Sequence, residues 1–523
     1  MELRADRGDV FIGLDSGTSV VKAIAFDRAG RQIAMAAAPN RTIAVGHGGV
    51  EQDMDDVWRS AAQVVAALGE RVPDLARRAA ALAVTAQGDG TWLIDGRGAP
   101  VGRAWLWLDG RGGAIVDELR RDGTDAAVFR ATGTVLSPSL QSAQLLAMRR
   151  HAPEKLARAS HALHCKDWLY YKLAGEIGTD PCEGVNTYGD VLARRYDDGV
   201  LERLGLYAER RLLPEIVDGT AHCGRLAPEA ARATALPAGL PVVLAPVDYL
   251  ATAIGGGVLG DSDDIGCSVL GSAGMHLMLL ADPVAATQGA PCGYTVLFPR
   301  PGTWLRMVSN MATSLNVDWL VGLAADAAER ITGTTVDRRR VLGLLDEGAA
   351  RAAPGAALYH PYISEAGERG PFVEPRARAQ FHGLSTRTTI DDLMRAVLEG
   401  IVFAARDCYA AMPVQPRELR LAGGAARSAT VRQAMAAALR ARVRRSGHDE
   451  AGALGAVAVA AVGLGAFASI DAACVAWVDP QLGAAEIAEP ALADRYEQIF
   501  SAYRVGREDS RRVWSSLHET GRH

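Results

Sequence analysis

An aspartate closing an apolar run, followed at once by glycine and small hydroxyl residues, suits phosphate and cation chemistry. Asp15-Ser-Gly-Thr-Ser-Val-Val-Lys22 has this form. Gly17 permits close backbone approach, Thr18 and Ser19 add donors for phosphate oxygens, and a carboxylate at Asp15 can hold Mg2+ through water. Taken singly, the segment is equally a surface turn. Two other segments share its character. Gly271-Ser272 is a second small-residue turn after an apolar run, and Leu419-Arg-Leu-Ala-Gly-Gly-Ala-Ala-Arg-Ser428 leads into a Gly423-Gly424 turn against which a flat base could lie. Rival motifs fail. The chain has four lysines, none after glycine, which excludes a Walker P-loop. Gly255-Gly-Gly-Val-Leu-Gly260 has dinucleotide spacing, yet a helical pattern precedes it where a strand is required, so it reads as a flexible connection. Leu270 stands where a nucleophile elbow needs glycine.

These turns need strands to carry them. Residues 10–15 and 20–26 predict a β-hairpin, 31–37 a third strand, 54–68 a helix and 81–85 a further strand. Strand, Gly/Ser turn, strand recurs at 265–270 and 275–280, which suggests an ancient duplication. No low-complexity linker intervenes, so two packed α/β domains are expected, 1–257 and 258–523. Helical patterns recur at 142–150, 166–173, 315–330, 390–412 and 429–440.

A chain of 523 residues buries about three-quarters of its unfolded surface and needs no disulfides to fold. Its net charge of −5 leaves no basic footprint for nucleic acid. The one exception, Arg440-Ala-Arg-Val-Arg-Arg445, is expected to be a solvated helix end. Seven scattered cysteines without a Cys-x-x-Cys, and a charged segment where a signal peptide needs an apolar core, point to the cytoplasm. Residues 451–470 carry no charge and could span a bilayer, but only seven are large and apolar. A buried helix is expected there, and no membrane partner.

The three turns, in this order, resemble those of the FGGY carbohydrate kinases of the actin-like ATPase superfamily. Further carriers are Gly367-Glu-Arg-Gly-Pro371, Phe381-His-Gly-Leu384, Arg395-Ala-Val-Leu-Glu-Gly400 and Glu450-Ala-Gly-Ala-Leu-Gly-Ala456. The resemblance implies an α/β fold of two actin-like (ribonuclease H-like) domains with a nucleotide and substrate cleft between them. It implies ATP-dependent phosphorylation of a sugar or polyol hydroxyl, with Mg2+. ATP would be held by Asp15, Gly17, Thr18, Ser19, Lys22, Gly271, Ser272, Ser314, Asp318, Gly423, Gly424 and Ser428. The family's general base matches Asp248 in Pro246-Val-Asp-Tyr-Leu250, a carboxylate able to accept the alcohol proton. Gln87, Asp89, Trp107, Asp248 and Tyr249 are the implied substrate contacts.

Gly88-Asp89 stands where glycerol kinases of the family carry Arg-Glu and xylulose kinases Met-His. The closer resemblance is to the family's erythritol kinases. It is carried by Gly49-Val-Glu-Gln-Asp-Met54, Gln87-Gly-Asp-Gly-Thr-Trp-Leu-Ile-Asp95, His164-Cys-Lys-Asp-Trp-Leu-Tyr170 and Tyr359-His-Pro-Tyr-Ile-Ser-Glu-Ala-Gly-Glu-Arg369. A terminal hydroxyl of erythritol is thus the expected acceptor, and a homodimer is compatible with the resemblance. The rivals are a family kinase for glycerol, threitol, xylulose or a related ketose, and an actin-like ATPase that transfers nothing.

Overall fold

Central strands of a sheet covered on both faces read as unbroken apolar runs, and two segments of the N-terminal half have that character. In the computed structural model, which describes residues 8–260 and 264–519, they are Val10–Ser16 (β1) and Ala79–Ala86 (β4). β1 turns back antiparallel on Val20–Phe26 (β2), which pairs antiparallel with Gln32–Pro39 (β3). On its other side β1 runs parallel to β4, and β4 runs parallel to Pro241–Leu244 (β6), with Gly224–Arg225 (β5) at the edge. The order is β5-β6-β4-β1-β2-β3. Helix Met54–Gly69 (α1) covers one face with Val57, Ala61, Val65 and Leu68, and Asp53 caps its first turn. Helices Cys165–Ala174 (α2) and Pro181–Tyr188 (α3) follow.

The same topology recurs. Ile265–Leu270 (β7) pairs antiparallel with Gly274–Leu280 (β8) and parallel with Glu418–Ala422 (β10). Trp304–Asn310 (β9) lies beyond β8, and Arg442–Arg445 (β11) runs parallel to β10. Hairpin, then parallel strands, is the ribonuclease H-like pattern, so the α/β fold is present twice. Among the described residues, contacts define two units. The first holds residues up to Gly260 with Leu280–Arg306 and Glu450–Gln481; the second holds the remainder.

Three expectations are corrected. Of the arginine run, Arg440 does end a helix, as the C-cap of Ala429–Leu439, but Arg442–Arg445 form an edge strand, β11, with Glu418 3.2 Å from Arg442 and 3.6 Å from Arg444. The glycine triplet is no flexible connection: Gly255 and Gly256 lie in helix Asp248–Gly256 (α4), and Gly257 caps it at φ 94°. The uncharged stretch is not one helix. Ala451–Gly463 (α9) ends after thirteen residues, and a second helix begins at Ile470.

α9 is buried almost all round, which its alanines and glycines permit. It crosses α4 where Gly255 faces the Ala451 carbonyl and Gly455 the Ala251 carbonyl, leaving no room for a Cβ on either. No described helix is long and apolar enough to cross a membrane. (Helices Ser314–Thr332, Arg338–Arg351, Ile390–Ala410 and Ala429–Leu439 take the labels α5 to α8.)

Candidate active site

In the first unit the β1–β2 turn is braced from several sides. The Gly17 amide donates to the Val20 carbonyl (3.0 Å), and Asn40 Nδ2 donates to the Gly17 carbonyl (2.7 Å). The Thr18 hydroxyl donates to Gln87 Oε1 (2.9 Å) and accepts from Trp107 Nε1 (2.8 Å). Gln52 Nε2 donates to the Thr18 carbonyl (3.0 Å), and Gln87 Nε2 donates to Gln52 Oε1 (2.8 Å). Thr18 therefore ties the turn to Gln87 and Trp107, with its hydroxyl already committed. Ser19, next along, is exposed.

Asp15 pairs in register with Lys22 across β1 and β2. Burial pushes its carboxyl up to about 6, Lys22 working against this and Glu450 with it. Lys22 Nζ sits 2.9 and 2.8 Å from the two oxygens of Glu450, the residue before α9. Gly452 keeps α9 close: a Cβ there would lie 3.0 Å from Asp15 Oδ2. No hydrogen-bond donor reaches the Asp15 carboxylate among the described residues. A half-buried carboxylate without donors, beside a second acid, is a donor set suited to a hard divalent cation.

Asp248 opens α4, and its Oδ1 accepts from the Tyr249 amide (2.6 Å). Its carboxyl is held well above the usual carboxylate range by burial first, then by the charges of Asp15, Glu183 and Asp89. The Tyr249 hydroxyl lies 3.4 Å from Cys182 Sγ, and its ring meets Tyr294 edge-on at 6.5 Å. Asp89 adopts φ 54°; its amide donates to Glu183 Oε1 (2.8 Å), and its Oδ2 accepts from Ser139 Oγ (2.9 Å) and the Tyr294 hydroxyl (3.1 Å).

Beneath Asp89 lies a buried charge cluster that the spacing of residues did not reveal. Lys166 Nζ is 2.7 Å from Asp167, 2.8 Å from Asp180 and 2.6 Å from Glu183. Burial alone would lower this ammonium, but the three carboxylates overcome it and hold the lysine charged. His164, Asp167 and Glu183 also offer ligand atoms within 4.8 Å of one another. Lys166 already supplies the cation that these carboxylates hold. The cluster's only signal in the sequence was Lys166 itself, one of four lysines, within the 164–170 motif.

The second unit presents the other turn. The Ser272 carbonyl accepts from the Thr313 amide (2.7 Å), and the Gly271 carbonyl from the Ser314 amide (3.0 Å), so the turn is locked to the start of α5. Glu368 Oε1 supports that loop by accepting from the Met311 and Arg369 amides (both 2.8 Å). Burial raises this glutamate to about 7 against those backbone donors. Gly423 has φ 90°, and a Cβ there would lie 2.6 Å from the Leu270 carbonyl carbon and oxygen. Nothing lies within 4 Å of a Cβ built on Gly424. Ser428 caps α8 and donates to Asp346 Oδ1 (2.6 Å), a partner not singled out from the sequence. Asp318 is exposed on the second turn of α5.

Residues 10–255 match the N-terminal domain of the FGGY family of carbohydrate kinases, and residues 266–464 match its C-terminal domain. The chain is 47% identical over 519 residues to the erythritol kinase of Brucella abortus, covering 99% of each. It is 29% identical to the xylulose kinase of Escherichia coli, covering 97% of this chain and 99% of that one. A solved xylulose kinase from Lactobacillus acidophilus shares the fold with a TM-score of 0.86 at 19% identity, covering 97% and 99%.

Proposed function

The chain belongs to the FGGY family of carbohydrate kinases, ATP-dependent enzymes of sugars and polyols, and we propose that its own acceptor is erythritol, phosphorylated at a terminal hydroxyl. The observation that carries this reading is the 47% identity with an erythritol kinase across 99% of both chains. The residues around Asp89 agree with it. A four-carbon polyol offers only hydroxyls, and in this reading it meets the acceptor Asp89, whose charge Asp248 feels, and the amide Gln87 and indole Trp107, both tied to Thr18. In this reading the N-terminal domain is residues 1–257 and the C-terminal domain 258–523, working in a reducing cytoplasm where seven cysteines without a disulfide are ordinary.

Asp248 is the general base. As the terminal oxygen attacks the γ-phosphorus, the bond to the β-phosphate oxygen breaks, ADP leaves, and the alcohol proton passes to Asp248. Its raised basicity suits the task, because a carboxylate far below the working pH takes a proton poorly. The residues assigned to the ATP phosphates are Gly17, Ser19, Lys22, Gly271, Ser272 and Ser314. Gly423, Gly424 and Ser428 serve the adenosine, with Asp318 nearby in sequence to Ser314. Thr18 binds less directly, through the bonds that orient Gln87 and Trp107. Asp15 is the residue that would hold Mg2+, which when bound neutralises charge on the transferring phosphates.

ADP release measured with erythritol, threitol, glycerol and xylulose tests the reading. Erythritol is expected to lead in kcat/KM by about tenfold or more, the worth of one well-placed hydrogen bond. Equal values across the panel would overturn the assignment, and ATP hydrolysis indifferent to every acceptor would overturn the base.

A further inference from the structure

Asp89 has φ 54°, in the left-handed region that few residues other than glycine, asparagine and aspartate enter. Gly88 and Gly90 flank it and are themselves pressed: a Cβ on Gly88 would lie 2.6 Å from Val247 Cγ2, and one on Gly90 2.6 Å from the Trp105 carbonyl. The loop thus packs tightly on both sides while Asp89 projects from it. Side chains from separate segments reach it. Glu183 accepts from its amide at 2.8 Å, and Ser139 and Tyr294 both donate to the same carboxylate oxygen, Oδ2, at 2.9 and 3.1 Å.

We infer that Glu183, Ser139 and Tyr294 are positioning residues that fix the hydrogen-bonding face Asp89 presents to the polyol, and so set the affinity for it. The inference rests on the reading of Asp89 as a substrate contact. Glu183 is suited to this role because it cannot turn away. Its second oxygen, Oε2, is bound to the buried Lys166 ammonium at 2.6 Å, so Oε1 is left facing the Asp89 amide. Both neighbours are donors, and only a carboxylate offers an acceptor to each. The two hydroxyls then define the carboxylate plane, converting a loop residue into an oriented acceptor.

The substitution Glu183→Gln keeps the shape but can satisfy one neighbour only. Lys166, a buried cation, claims the carbonyl, which turns the amide nitrogen towards the Asp89 N–H. Glu183→Gln is expected to raise the polyol KM about tenfold with the ATP KM within about twofold, and Tyr294→Phe and Ser139→Ala to raise the polyol KM about threefold each with both kcat and the ATP KM within about twofold. Combined with Asp89→Asn, none should add to the effect of Asp89→Asn alone, since all act through that side chain. A merely structural role would instead lower the melting temperature and leave the polyol KM unmoved.

Tyr294→Phe and Ser139→Ala leave the Lys166 cluster untouched, so they decide the matter even where Glu183→Gln fails to fold. An unchanged polyol KM in both, or increments that add to Asp89→Asn, overturns the inference. If Asp89→Asn raises the polyol KM while the tether variants do not, positioning alone fails. If Asp89→Asn leaves it unchanged, the substrate contact fails and the inference falls with it.

Discussion

Two carboxylates at the first unit's centre are ionised at a cost in stability. Asp15 is raised to about 6 and Asp248 well above its ordinary range, both by burial and Asp248 also by Asp15. A carboxyl raised on folding binds its proton more tightly in the native state. Its contribution is therefore fully present below the unfolded value near 3.8 and is lost as pH rises through the folded one. For Asp15 that window runs from about 4 to about 6. Asp248→Asn removes the same cost at the base, so it is expected to melt higher than the parent at pH 8 and level with it at pH 4. The same variant should bind ATP normally while turnover falls by about 10²–10⁴. Turnover near normal would remove Asp248 as base, and a melting gap independent of pH would remove the electrostatic account. Asp15 is legible by itself, at a strand end followed by small residues, whereas Asp248 and Asp89 are reached through the resemblance to the family's motifs. Neither route leads to Glu450 beside Lys22, Asp346 beside Ser428, or Glu183 beside Asp89. Those pairs lie 428, 82 and 94 residues apart, and only the fold makes them neighbours.

Elements were legible where one segment determines its own state. The β1–β2 hairpin, α1 and α5 emerge from apolar runs about a small-residue turn and from helical periodicity, within a residue or two of their observed ends. Elements determined by a neighbour were not. Arg442–Arg445 looks like a solvated helix end until β10 is beside it, where Glu418 offsets its charge. Gly255 looks like a hinge until the Ala451 carbonyl is seen against it. The α4–α9 crossing has a consequence for activity, since α4 carries Asp248 on its first residue. Gly455→Val puts a branched side chain where the Ala251 backbone lies. It is expected to cost about 3 kcal/mol, from overpacking that must shift backbone, and to lower kcat with it. A midpoint in urea within error of the parent would show that the crossing tolerates bulk.

At the scale of the whole molecule, no disulfide joins any of the seven cysteines, all of which lie among the described residues. A reductant should leave the melting temperature unchanged, whereas ATP at about a hundred times its Kd should add about 2.7 kcal/mol. A fall on reduction would reveal a bridge, and no gain with ATP would mean that the native state does not bind it. The division into units also governs timing. Glu450–Gln481 returns to the first unit, and α9 packs against β1, β4 and α4. A ribosome makes β1 early and α9 late. Until the second unit's middle segment has emerged, the earlier strands wait with an open, apolar groove that their own helix will fill. The nascent protein is thus most vulnerable to aggregation through the middle of its synthesis, and the stretch most in need of a chaperone is the unfilled seat of α9.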